Sequence, residues 1–303
     1  MSNDIYLPLA LAFVMFGLGM TLEFKDFRHI FRYPRSAIVG LALQLLAPPL
    51  VAFALAFLFL DDPMLQVGLV VIAACPGGAT SNLISHLLRG NVALSILLTM
   101  ANSFVIVFSV PIIVNLALSA FTGQEQEIHL DFWSTVLEIF LSVMLPVLAG
   151  MLLRIWKPGF ADKAEKPMEW LMPTVMFAVF VVVLLFGDEK NPKSNIPDFS
   201  KLLWPLLWAF ILNVSGILAG FYTPKFLNVG FRARLTICIE VGVQNSLLAL
   251  TISKSQLHSQ EIAQMAIAYG SITFFTTFGL AWLLSKTTRK PFRENNGQKP
   301  ATS

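Results

Sequence analysis

Nine stretches of this chain are predominantly apolar over roughly 20 residues, the length an α-helix needs to cross the hydrocarbon core of a bilayer. They cover residues 5–22, 36–60, 64–88, 91–121, 132–153, 168–187, 202–222, 235–252 and 262–284. A water-soluble globule has nowhere to hide so much apolar surface. Hydrophobic residues make up 56% of the 303 and charged ones only 13%, against about 45–50% and about 25% in soluble domains. The expected fold class is an all-α polytopic membrane protein with nine transmembrane helices.

The basic residues are distributed unevenly between the two faces this division creates. Lys25, Arg28, Arg32, Arg35, Arg89, Arg154, Lys157, Lys163, Lys166, Lys225, Arg232, Arg234, Lys286, Arg289, Lys290, Arg293 and Lys299 fall on one side. Only Lys190, Lys193, Lys201 and Lys254 fall on the other. Cytoplasmic loops carry the excess of Lys and Arg, which places the N-terminus outside and the C-terminus in the cytoplasm, as an odd number of spans requires. The N-terminus lacks the basic start of a signal peptide, so the first run is expected to be a retained span. Residues 285–303 read as a basic cytoplasmic tail, a topology anchor in preference to a binder of anionic lipid headgroups. Residues 187–200 read as an external polar loop.

Two spans are interrupted. In the third, Ala74-Cys75-Pro76-Gly77-Gly78 combines a proline, which cannot donate its backbone hydrogen bond and clashes with the carbonyl of Ile72, with two flexible glycines. Three consecutive polar residues follow, Thr80, Ser81 and Asn82, and a simple proline kink has no use for them. In the eighth, Glu240 sits near the centre of an apolar run, where an ionisable side chain costs at least a few kcal/mol. Gly242, Gln244, Asn245 and Ser246 lie beside it. Spans 1–4 match spans 6–9 if the fifth is left over, so the two interruptions fall at equivalent positions of inverted halves. Interrupted helices at matching positions mark the binding site of a secondary transporter. Their free carbonyls suit a cation and their free amides an anion.

Three segments in order resemble the bile acid:sodium symporter family. They are Met15-Phe16-Gly17-Leu18-Gly19-Met20-Thr21-Leu22 with Asp26-Phe27, then Cys75-Pro76-Gly77-Gly78 with Ser81-Asn82 and Arg89-Gly90-Asn91-Val92-Ala93-Leu94-Ser95, then Glu240 to Ser246. The resemblance implies a core domain, residues 36–121 and 202–284, in which the two interrupted helices cross. It implies a panel domain, residues 5–22 and 132–187, against which the core rocks. It implies one sodium site from Ser81, Asn82, Ser95, Thr99 and Glu240, and a second from Gln44, Glu240, Gln244 and the carbonyls of Val241 and Val243. It places substrate near Gly78, Ala79, Thr80, Asn245 and Phe274. All the ion ligands are hard oxygens, and Ser95 and Thr99, four apart, share one helical face. For Gln44 the residues alone suggest only an interhelical hydrogen bond.

The expected function is sodium-coupled symport of an organic anion by alternating access. Two sodium ions sharing one carboxylate leave a positive charge for the anion to balance. The anion is either an amphipathic, bile-acid-like molecule or a small carboxylate such as pantoate or a keto acid. Sodium ions serve as coupling ions, with no resident cofactor and no nucleic-acid partner expected, and a bacterial inner membrane is the expected location. No His-Glu-x-x-His, paired intramembrane aspartates or Gly-x-Ser-x-Gly favours a membrane enzyme. A sodium- or proton-conducting channel lined by Glu240, and an exporter of the arsenite type using Cys75, are the alternatives.

Overall fold

The computed structural model describes residues 6–22, 34–123, 130–186 and 199–294. The external loop at 187–198, Lys25, Arg28 and Arg32, and the tail beyond residue 294 lie outside them. The described residues are almost all helical and contain no strand. In chain order the helices are α1 (Tyr6–Thr21), α2 (Pro34–Phe59), α3 (Pro63–Ala73), α4 (Ala79–Leu87), α5 (Val92–Phe121), α6 (Phe132–Trp156), α7 (Pro158–Phe186), α8 (Phe199–Phe226), α9 (Phe231–Gly242), α10 (Ser246–Thr251) and α11 (Gln260–Glu294). Five segments are long and apolar enough to cross a membrane: α2, α5, α6, most of α8 (Leu202–Phe226) and most of α11 (Gln260–Lys286). The apolar helix α1 is shorter at 16 residues, and so is the apolar part of α7, Trp170–Val182.

The expected third and eighth spans are each two helices. α3 begins where Asp62 caps it, accepting from Met64 N at 2.8 Å with Pro63 in the first turn. It ends at Ala73, just before Cys75-Pro76-Gly77-Gly78. α9 ends at Gly242, and α10 starts after Asn245, whose side chain caps it by accepting from Leu248 N at 3.0 Å. Proline alone does not break a helix here. Pro48 and Pro49 lie inside α2 and Pro111 inside α5, as membrane helices tolerate. At Pro76 the two glycines that follow remove the remaining helical preference.

Hydropathy misplaces other boundaries. The basic segment around Lys163 and Lys166 reads as a loop, but it is the first part of α7, which runs unbroken from Pro158. Its Ala, Glu and Lys residues are strong helix formers, and an apolar window sees only the half that follows. Arg154 at the end of α6 ties this extension down, meeting Glu165 at 3.3 Å and Asp162 at 3.4 Å and donating to the carbonyl of Met20 at 2.8 Å. α6 also contains a wide π turn at Phe140–Met144, placed where Pro146 removes the donor that would meet the Ser142 carbonyl. A second π turn, Ile252–Gln256, extends α10. The two meet: Gln256 donates to the carboxylate of Glu138 one turn before the first.

α1 packs chiefly on α6 and α7, whereas α8 packs on α9, α11 and α2, and α3 on α11. Small residues allow the closest approaches, as at membrane helix interfaces generally. A Cβ on Gly150 would lie 2.3 Å from the carbonyl oxygen of Phe16, and one on Gly19 would lie 2.2 Å from that of Val147. On α8, Gly216 and Gly220 lie against Val241 and Cys238 of α9. Gly150→Leu should therefore force α1 and α6 apart and lower stability by about 1–3 kcal/mol, read as a lower Tm of the detergent-purified protein. Gly159→Ala, with nothing within 4 Å of its added carbon, should leave the Tm unchanged. Equal Tm values for both variants and the parent would contradict this packing.

Candidate functional site: a buried carboxylate where two helix breaks cross

The two breaks cross and hold each other through their backbones. Asn245 N donates to the carbonyl of Cys75 at 2.8 Å, and Pro76 and Gln244 form an isolated antiparallel bridge. Gly77 is required at the crossing, because a Cβ there would stand 2.4 Å from the carbonyl oxygen of Val243.

Beside the crossing lies Glu240, with no exposure to solvent. Its carboxylate accepts from Ser95 Oγ, from Gln44 Nε2 at 3.1 Å and from Thr99 Oγ1 at 3.3 Å. Asn82 Oδ1 lies 2.8 Å from Ser95 Oγ and 3.4 Å from Thr99 Oγ1, sharing with the carboxylate the single proton of each hydroxyl. α2, α4, α5 and α9 thus converge on one acidic group, and among the described residues no basic side chain pairs with it. Ser81, also fully buried, turns its hydroxyl to the carbonyl of Gly78 at 2.7 Å. Gln244 Nε2 donates to the carbonyl of Val241 at 2.9 Å. The side-chain oxygens of Gln44 and Gln244 are buried with no hydrogen-bond partner among the described residues. Two orphaned carbonyl oxygens, one on a side chain that holds the carboxylate and one at the break between α9 and α10, are what a hard cation would use.

The residues expected near substrate divide into two groups. Gly78 and Asn245 line one small cavity together with Pro76, Gly77 and Thr99. Thr80 is buried in α4, which Ala79 opens. Phe274 stands apart, stacked on Phe278 at 6.3 Å between ring centroids and packed against an apolar cluster that includes Ile84 and Val243. It lines neither this cavity nor the larger one. The larger cavity, about 510 Å³, lies between α1, α4, α5 and α7, reaching from Asn82 to His86, Asp162, Glu165 and Lys166.

Several polar residues in and around the site were not singled out from the sequence. Ser85 lies 3.3 Å from Ser95. Asn102 and Ser103 line the small cavity. With Ser95 and Thr99 they fall at i, i+4, i+7 and i+8, so a search for polar rather than apolar helical periodicity would have found them.

The chain is similar to known proteins along most of its length. The family described as the Sodium Bile acid symporter family matches residues 8–191. An uncharacterized sodium-dependent transporter of Bacillus subtilis, YocS, is 28% identical over 86% of this chain and 78% of its own length. A probable chloroplastic sodium/metabolite cotransporter of Arabidopsis thaliana, BASS1, is 30% identical over 81% of this chain. The human sodium/bile acid cotransporter 4 is 26% identical over 86%. The chain spans 58% of the length of each of these last two.

Behind the site, a second polar cluster pins the end of α9. The carbonyl of Gly242 accepts from Asn213 Nδ2 at 2.7 Å, from the Tyr269 hydroxyl and from Thr273 Oγ1 at 3.5 Å, and Asn213 Nδ2 also meets Thr277 Oγ1 at 2.9 Å. All four side chains are buried. Asn213→Leu should cost about 1–2 kcal/mol by removing this anchor. Thr276→Val should cost little, because that hydroxyl bonds only to its own helix. Denaturant unfolding of the two variants in mild detergent checks the ranking, and the reverse order would contradict the anchor.

Proposed function

The chain belongs to the sodium bile acid symporter family, and on that premise we propose that it couples the inward movement of sodium to the uptake of an organic anion. The observation that carries the reading is Glu240, a fully buried carboxylate held by neutral side chains of α2 and α5, with Asn82 of α4 joined to the cluster through Ser95 and Thr99. A buried charge is tolerated only when something pairs with it. Here the partner is the coupling ion.

The first sodium is assigned to Asn82, Ser95, Thr99 and Glu240, already drawn into one cluster, with Ser81 turning toward it on binding. The second is assigned to Gln44, Gln244 and Glu240 with the carbonyls of Val241 and Val243, and it would use the two orphaned side-chain oxygens. Two sodium ions on one carboxylate leave a net positive charge, and an anionic substrate offsets it. α4 suits the anion because its cap position is Gly78, which supplies no side chain to occupy the first amides. The first turn of α10 is instead satisfied by Asn245. A small carboxylate such as pantoate or a keto acid is favoured over a bile-acid-like anion, because Phe274 is engaged in packing rather than facing a wide crevice.

In this reading α2–α5 and α8–α11 form the core, and α1, α6 and α7 form the panel. The 510 Å³ cavity lies between these two groups and leads from Asn82 toward the face rich in basic residues. That makes this an inward-facing arrangement of a multi-pass protein of the cell membrane, with alternating access by rocking. Cys75 is fully buried in the main apolar cluster, which does not suit the thiol-dependent exporter.

Glu240→Ala should weaken sodium binding by at least about tenfold, the effect of losing one charge-assisted contact, while the variant still elutes as a folded protein. Ser95→Ala and Thr99→Ala should weaken the first ion more than the second. Sodium titrations of thermal stability measure both effects. An unchanged midpoint in Glu240→Ala would remove the basis of the proposal.

A further inference from the structure

On α5 the first two members of the polar stripe are committed, Ser95 and Thr99 to Glu240 and Asn82. Ser103 donates to the carbonyl of Thr99 at 2.9 Å. Asn102 is different. It is 1% exposed, and neither its Oδ1 nor its Nδ2 has a hydrogen-bond partner among the described residues. Buried polar groups are nearly always partnered, and one left unpaired calls for a functional explanation.

Asn102 lines the small cavity at the crossing, with Gly77, Gly78, Thr99, Ser103 and Asn245. The cavity volume is about 10 Å³, room for no more than one water-sized group such as a hydroxyl. Gly78, the cap of α4 without a side chain, forms part of the same wall. A carboxylate resting on the first amides of α4 would carry its adjacent carbon, and whatever that carbon bears, toward Asn102. The carboxamide offers an acceptor that needs a donor and a donor that needs an acceptor. A hydroxyl supplies both. A ketone supplies only an acceptor and sets a lone pair against Oδ1, and a methylene supplies neither.

Resting on the sodium-coupled reading of this crossing, we propose that Asn102 recognises a hydroxyl next to the carboxylate, so that the site selects hydroxy acids over the matching keto and unsubstituted acids. Sites built to hydrogen-bond a substrate hydroxyl discriminate strongly against analogues lacking it, because their own polar groups are then left unpaired.

Three acids of one carbon skeleton provide the test: 2-hydroxy-3-methylbutanoate, 3-methyl-2-oxobutanoate and 3-methylbutanoate, each titrated calorimetrically into purified protein in saturating sodium. The hydroxy acid should bind at least about tenfold more tightly than the other two. Asn102→Leu and Asn102→Ala should bring the three within about twofold of one another, while sodium titrations without any acid match the parent. Equal affinities in the parent, a preference for the keto acid, a hydroxyl preference that survives both substitutions, or no binding of any of the three would each overturn the assignment. An Asn102 that merely holds a structural water gives the first or third of these results. Loss of sodium binding in the parent protein would instead sink the symport reading itself, so the two failures are distinct.

Discussion

A single carboxylate, removed from water and given no basic partner among the described residues, sets the terms for the rest of this structure. Glu240 is held in place by polar side chains of α2 and α5 directly and by Asn82 of α4 through Ser95 and Thr99, and in the proposed reading a cation completes its environment. α4 and α9 each adjoin a helix break, and the breaks are joined by an Asn245–Cys75 backbone hydrogen bond and a Pro76–Gln244 bridge. Each break frees backbone groups that an intact helix would consume. At the end of α9 three successive carbonyls go to three different environments. Val241 O meets the Gln244 side chain, Gly242 O the Asn213–Tyr269 cluster, and Val243 O lies against Gly77. The break is thus held from behind by α8 and α11.

The two breaks are chemically unequal, and the inequality suits a site for both signs of charge. α10 brings its own cap in Asn245, which uses up the attraction of its first turn. α4 starts at a glycine with no cap, and its dipole and free amides point toward whatever occupies the crossing. Carbonyls gather on the α9 side and amides on the α4 side. Access fits the same geometry, since the larger cavity reaches the cluster at Asn82 from between α1 and α7 on one side and α4 and α5 on the other.

Much of this was legible in the residues, for identifiable physical reasons. An acidic residue at mid-span is conspicuous because burying it is costly, so Glu240 announced itself. Pro76 followed by two glycines and three polar residues announced the first break, whereas Pro48, Pro49 and Pro111 show that proline alone carries no such information. Gln44 was a site candidate only through the family resemblance, because its partner lies 196 residues away and no local pattern encodes that meeting. Phe274, expected beside the substrate, stacks on Phe278 and packs against a neighbouring apolar cluster. The π turns and the long α7 escaped notice because hydropathy registers apolar length and not backbone winding. Asn213 escaped because a single amide in an apolar helix carries no periodic signal, whereas Asn102 belongs to a polar stripe that a search for apolar periodicity passes over.

The central claim is that the buried carboxylate links sodium to an anion, and a flux measurement tests it most directly. Purified protein in proteoliposomes would be offered radiolabelled small organic acids with an inward sodium gradient, and with potassium in its place. An acid should accumulate above its external concentration in dependence on the sodium gradient, and the accumulation should collapse when the gradient is dissipated. Uptake indifferent to sodium, equilibration without accumulation, or preference for a neutral or cationic solute would contradict it.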